Sequence, residues 1–138
     1  MRVQTDQFLD GKLFDGFGFD GWLDLEHQGD AFSFFRDDLL LGICGVVLSA
    51  ESRGNAWMLI SEGITPRDLL FLTREGVKVL DRYQLDPSYK RLETTVRNDF
   101  HNGHRWAKRL GFSMECVMPC YDAAGNAHAL YSRIADVA

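Results

Sequence analysis

The side chains best able to do chemistry crowd into the stretch from Arg91 to Phe112, RLETTVRNDFHNGHRWAKRLGF. A carboxylate such as Glu93 can take a proton as a general base, and a histidine such as His104 can give or take one near neutral pH. Asp99, His101 and His104 offer ligand atoms to a metal, and His-x-x-His falls on one side of a helical turn. Two histidines and a carboxylate so close in sequence are nevertheless a weak zinc signal, and no metal is assigned. A Ser-His-Asp site lacks its nucleophile elbow. Cys116 and Cys120 have no adjacent histidine to activate them and read as core thiols. Gly16, Gly18 and Gly21 carry the spacing of a dinucleotide fingerprint, but no apolar strand leads into them and the polar WLDLEHQ follows. That stretch reads as a loop packed down by Phe17, Phe19 and Trp22, with a lid or partner-binding surface as the functional alternative.

These groups need elements to hold them. Arg91 to Val96 alternates as a strand, Asn98 or Asp99 can cap the helix that follows, and Gly111 suits a left-handed C-terminal cap. Ala31 to Arg36 and Leu39 to Leu48 read as a hairpin turned at Asp37-Asp38, the second arm apolar enough to lie mid-sheet. Glu51 to Asn55 reads as a polar turn and Ala56 to Ser61 as another buried strand. Thr65, Pro66 and Asp68 mark the start of a helix running to about Gln84, with Leu69, Leu72, Gly76, Val79 or Leu80, and Tyr83 on one face. Ser113 to Tyr121 and Ala127 to Ile134 form a closing hairpin. The order predicts an α/β domain over residues 1–138, with 1–30 loop-rich or mobile.

The strand–helix–Gly-Phe unit resembles the C-terminal half of the GNAT superfamily of acyl-CoA-dependent N-acetyltransferases, in which a short helix ends in Gly-Phe. More narrowly, DFHNGHRWAKRLGF followed by a tyrosine-bearing hairpin is similar to GNAT-like proteins encoded by bacteriophages, among them small internal virion proteins. The resemblance implies a mixed, mostly antiparallel sheet flanked by helices, with AWMLIS and RLETTV splayed around the pantetheine arm of acetyl-CoA. It places Ile60, Ser61, Gly63, Ile64, Thr65 and Arg67 at the CoA phosphates, where a helix N-terminus favours an anion. Glu93 becomes the base and His104 the nearest substitute for a family tyrosine whose position holds Ala107, with Tyr121 and Tyr131 more remote. Glu62, Asp68 and Pro66 each weaken that phosphate loop by about 1 kcal/mol, so acetyl-CoA binding is expected to be weakened about tenfold to a hundredfold, or absent.

Composition narrows the partners. The chain has 138 residues, a formal charge of −5 and a pI near 5.3, which argues against nucleic acid as the primary partner. Arg97, Arg105, Lys108 and Arg109 form a local basic cluster, read first as a solvated helix face, with a site for a small anionic ligand as the alternative. No stretch reaches the length of a membrane span, and the three cysteines read as reduced thiols. The first expectation is therefore a catalytically degenerate phage-encoded scaffold, a virion or assembly component contacting phage or host proteins. It would act in the host cytoplasm during infection and be packaged in the virion. The alternatives are an acetyl-CoA-dependent N-acetyltransferase and a factor that modifies or blocks a host protein. Oligomeric state is left open.

Overall fold

In the computed structural model, residues 31–136 are described together with a short antiparallel ladder between β1 (Phe8–Leu9) and β2 (Lys12–Leu13). The aromatic loop expected around Phe17, Phe19 and Trp22 lies outside the described residues. A six-stranded sheet follows, in the order β3-β4-β5-β6-β8-β7. Its strands are β3 (Ala31–Arg36), β4 (Leu39–Ala50), β5 (Arg53–Ile60), β6 (Arg91–Arg97), β7 (Ser113–Met118) and β8 (His128–Ile134). Every neighbouring pair is antiparallel except β5 and β6. The expected mixed, mostly antiparallel sheet with a C-terminal hairpin is thus the fold observed.

Asp37 makes the β3–β4 turn at a φ of 53°, and Ser52 makes the β4–β5 turn at 60°. The second turn is tighter than the polar Glu51 to Asn55 stretch suggested. Arg53, Gly54 and Asn55 join the ladder against Ala50, Leu48 and Val47, because a strand can carry polar residues on alternate positions without losing its pairing.

Helix α1 (Pro66–Tyr83) opens on the expected capping box: Asp68 N–H donates to Thr65 Oγ1 at 3.1 Å, and Thr65 N–H donates to Asp68 Oδ2 at 3.0 Å. Helix α2 (His101–Arg109) does not start as expected. Its N-cap is Phe100, with no side-chain bond. Asp99 is instead held by Arg97 Nε at 2.5 Å, and the Asn98 carbonyl accepts from His104 Nε2 at 2.9 Å. Asp99 is drawn to Arg97, and Asn98 meets the helix through its backbone carbonyl rather than through its side chain.

Among the described residues, both α-helices pack on one face of the sheet. Leu80 of α1 and Ala107 and Leu110 beside α2 share a core with Val46, Leu92, Val96, Ala129 and Tyr131. A second cluster joins Leu41, Ile60 and Leu72. Alternation along β6 therefore turns Leu92, Thr94 and Val96 toward the helices and Glu93 and Thr95 to the other face. Gly76 is where α1 meets α2, since a Cβ there would lie 3.0 Å from Leu110 Cδ2. Trp106 Nε1 donates to Thr73 Oγ1 at 2.9 Å and completes the junction. Cys116 and Cys120 are exposed, which corrects their reading as core thiols, whereas Cys44 is buried and its thiol is pushed up to about 12 by that burial. Among the described residues no helix is long and apolar enough to cross a membrane.

Candidate active-site cleft

The parallel ladder between β5 and β6 holds for only three pairs, Arg53 with Arg91, Gly54 with Leu92, and Asn55 with Glu93. Beyond them β5 continues against β4 as far as Ile60, and β6 continues against β8 as far as Arg97. The two half-sheets, each paired within itself, part beyond this point. Gly54 marks the narrow point, where a Cβ would come within 2.8 Å of Val46 Cγ1 and 3.2 Å of Leu92 Cδ2. Past it, Ala56, Trp57 and Met58 of β5 and Thr94, Thr95 and Val96 of β6 line a cleft of about 680 Å³. That volume lies within the roughly 300–1,000 Å³ of small-molecule sites.

One end of the cleft abuts the start of α1. Ile60, Ile64 and Thr65 line it; Ser61, Gly63 and Arg67 are not among its lining residues. Ser61 is committed to the sheet, donating its hydroxyl to Leu40 O at 2.7 Å and its N–H to Leu41 O at 2.9 Å. Gly63 takes a φ of 74° with open space where its Cβ would be, so the backbone there can be approached closely. The capping box uses the N–H groups of Thr65 and Asp68, and Pro66 has none, which leaves Arg67 N–H as the remaining first-turn donor among these residues. Arg67 is not the sole cation at this end. Arg36 reaches across from β3 and grips Asp68 through Nε and Nη2, at 2.6 and 3.2 Å. Hydrogen bonds from Arg36 and from the Thr65 backbone bring the Asp68 carboxyl down to about 2. Its negative charge is thus matched, and the electrostatic objection to a phosphate here is smaller than the sequence implied.

Helix α2 supplies a second wall. Asn102, Arg105 and Arg109 recur at spacings of three and four, so they share a face, and all three line the cleft together with Arg97. The cluster read as a solvated face is in large part a cationic cleft wall. Lys108 points elsewhere.

Neither proposed catalytic side chain lines the cleft. Glu93 sits at the last paired position on the face away from the helices, where its Oε1 accepts from Arg91 Nε at 2.7 Å. Arg91 also holds Glu115 through both terminal nitrogens, and Ser132 donates to Glu115 at 2.7 Å. Glu93 is one member of that ion-pair network, and to act on a substrate it would first have to leave Arg91. His104 is occupied at both ring nitrogens. A carbonyl can only accept, so Nε2–H donates to Asn98 O, and Nδ1 accepts the Tyr131 hydroxyl at 2.7 Å. Tyr131 is fully buried and burial raises its phenol, so that proton stays on oxygen. Ala107, at the family's tyrosine position, is packed in the core.

A pair that the sequence reading passed over does line the cleft. The turn between β7 and β8 places Asp122 and His128 there, both buried, with His128 Nε2 3.0 Å from Asp122 Oδ2. Asp122 Oδ1 accepts from Ala124 N–H at 3.1 Å and from Asn126 N–H at 2.8 Å. Burial pushes this carboxyl up, but the hydrogen bonds from His128 and Asn126 outweigh it and the carboxyl lies below its ordinary value. An ionised Asp122 requires a proton on Nε2, so a neutral His128 ring carries its lone pair on Nδ1. Nδ1 is buried with no hydrogen-bond partner, and so is the indole N–H of Trp57 on the cleft's β5 wall. The one sequence signal was an Asp-x-x-Gly-Asn-x-His turn, which is no different from an ordinary Asx turn. Among the described residues no cluster of three or more His, Cys, Asp or Glu is placed to hold a metal ion.

No protein-family model matches the chain, and no curated protein matches it in sequence. Solved structures match it in fold. A GNAT-family acetyltransferase from Streptococcus pneumoniae superposes with a TM-score of 0.71 at 15% identity, covering 89% of this chain and 84% of that one. A Bacillus subtilis acetyltransferase in complex with CoA gives 0.68 at 8% identity, covering 84% and 83%. The ribosomal-protein-S18-alanine N-acetyltransferase of Escherichia coli gives 0.66 at 13%, covering 89% and 81%. At these identities the likeness is one of fold.

Proposed function

We propose that this GNAT-fold chain binds acetyl-CoA in the cleft between β5 and β6 and transfers the acetyl group to an amine. The observation that carries the reading is the parallel pair that lets go after three residues, because an extended arm fits only where two neighbouring strands leave each other's edges unpaired. The residues present suit such a ligand. Ile60, Ile64 and Thr65 bring the cleft up to the N-terminus of α1, where an anion is favoured, and Arg105 and Arg109 supply positive charge along the same cleft. The solved relatives whose names are acetyltransferases, one of them in complex with CoA, agree in fold.

Acetyl-CoA brings an activated thioester. The chain's own contribution is to hold it straight between the half-sheets, to neutralise its phosphates and to take a proton from the attacking amine. The expectation of a decayed virion scaffold rested on a poor phosphate loop and a missing tyrosine. The first objection is weakened by the Arg36–Asp68 pair, and the second concerns one proton only. No described residue argues for a virion or assembly role.

The direct test is calorimetric titration of the purified chain with acetyl-CoA. Binding with a micromolar dissociation constant, lost as salt is raised, is expected. Absence of heat at millimolar ligand would overturn the proposal and return the cleft to a structural role.

A further inference from the structure

We infer that His128, held by Asp122, is the proton acceptor for the amine, and that the amine reaches it from the sheet face opposite the helices. The inference rests on the acyl-transfer reading above. Buried polar groups are nearly always paired, so an orphan imidazole nitrogen on the wall of a cleft marks a place where a ligand's hydrogen belongs. Asp122 cannot turn to satisfy it. Both of its oxygens are engaged, one by two N–H groups of its own turn and the other by His128 Nε2–H. The carboxylate therefore fixes the tautomer and is ready to hold the imidazolium once a second proton arrives.

Position supports the same role. His128 opens β8 opposite Arg97, the last residue of β6, where the two half-sheets have moved apart. Alternation from the helix-facing Ala129 and Tyr131 puts His128 on the other face, and alternation from the helix-facing Met58 does the same for Trp57. The cleft thus has two chemically different sides. Toward the helices lie Arg105, Arg109 and the start of α1, suited to a polyanion. On the opposite side lie Arg97, which holds Asp99, and, among the described residues, one buried unpaired donor, Trp57 N–H, and one buried unpaired acceptor, His128 Nδ1, suited to a small polar group that both gives and receives a hydrogen bond. A primary amine beside a carbonyl oxygen is such a group. Tyr121 lines the cleft next to the imidazole, its ring centroid 4.9 Å away at 48°, and being exposed on a turn it can swing aside to admit the amine.

In the step so assigned, the amine nitrogen bonds to the thioester carbonyl carbon, the C–S bond breaks, and Nδ1 receives the proton the nitrogen sheds. Asp122 holds the resulting imidazolium through Nε2–H. The proton then passes to the departing thiolate or to solvent, and the neutral ring is restored. Nothing is oxidised or reduced. His128 is the catalytic residue and Asp122 a positioning residue.

The test uses the full chain in four measurements. Long-range ¹H–¹⁵N spectra of the free protein should show His128 protonated at Nε2 alone, and Asp122→Asn should shift the proton to Nδ1. Calorimetry with acetyl-CoA should give the same affinity for wild type, His128→Gln and Asp122→Asn. Acetyl transfer to spermidine and to peptides with a free N-terminal alanine should fall about 10²–10⁴-fold in kcat for His128→Gln, with the double variant no worse. Added imidazole should restore part of the transfer lost in His128→Ala, which a structural role does not predict. Unchanged transfer by a His128→Gln variant that binds acetyl-CoA, or a free protein with Nδ1 protonated, would overturn the dyad and leave the acyl-transfer reading intact. A wild-type chain that neither binds acetyl-CoA nor acetylates any of these amines would overturn both.

Discussion

Asp68 and Glu115 are the residues where pH should be felt first. Arg36 and the Thr65 backbone hold Asp68 at about 2 against an ordinary 3.8, and Arg91 and Ser132 hold Glu115 at about 2 against 4.5. A depressed carboxyl stabilises the fold fully above its unfolded value and loses that contribution as pH falls through the folded one. Thermal unfolding followed by circular dichroism should therefore give a flat midpoint above about pH 5, falling progressively toward pH 2. Arg36→Gln should lower the midpoint at neutral pH and flatten the acid limb. An acid limb unchanged by that substitution would mean that Asp68 is held by its capping box alone.

Among the elements, α2 is fitted closely against β6 at Gly103 and tied to α1 by its one indole. Gly103 sits where a Cβ would come within 2.6 Å of Phe100 Cδ1 and 2.8 Å of Val96 Cγ1, so Gly103→Ala must push α2 away from β6. Overpacking of this kind costs about 1–3 kcal/mol, and because α2 carries Arg105 and Arg109 it should also loosen ligand binding. Chemical denaturation of Gly103→Ala beside wild type, with and without acetyl-CoA, reads both effects. Gly111 closes the helix at a φ of 94° with Arg133 Nε 2.9 Å from where a Cβ would stand. Arg133 in turn bonds Leu110 O, Gln84 and Asp81, so the end of α2, the end of α1 and β8 are fastened at one point.

At the scale of the whole molecule, an acidic chain offers a cationic cleft to a polyanion. The formal charge is −5, yet Arg97, Arg105 and Arg109 all line the cleft. Reversing two of them, Arg105→Glu with Arg109→Glu, should weaken acetyl-CoA binding about tenfold or more at low salt and by less at high salt, since exposed charges are screened. A ligand that binds only the folded chain stabilises it by about 2.7 kcal/mol at a hundred times its dissociation constant. Acetyl-CoA should accordingly raise the unfolding midpoint of wild type and raise that of the double reversal less. Equal shifts for the two proteins would remove the arginines from the binding site.

What the sequence by itself determined was local. Alternation laid out the strands, Thr65-Pro66-Arg67-Asp68 fixed the start of α1, and Gly111-Phe112 fixed the end of α2, because caps, turns and periodicity depend on residues a few positions apart. Even locally it erred where a nearby charge competed, as when Arg97 drew Asp99 away from the α2 cap. The resemblance had named the two strands and Ile60, Ile64 and Thr65, but which side chains meet in the cleft was decided by tertiary structure. Where β5 and β6 part depends on how far two strands separated by a whole helix stay in register, and no short-range pattern encodes that. The same long-range placement drew Glu93 into the Arg91 network, closed both nitrogens of His104, brought Arg36 from the other edge of the sheet to Asp68, and left His128, an inconspicuous residue after a hairpin turn, buried beside the cleft with one nitrogen unpaired.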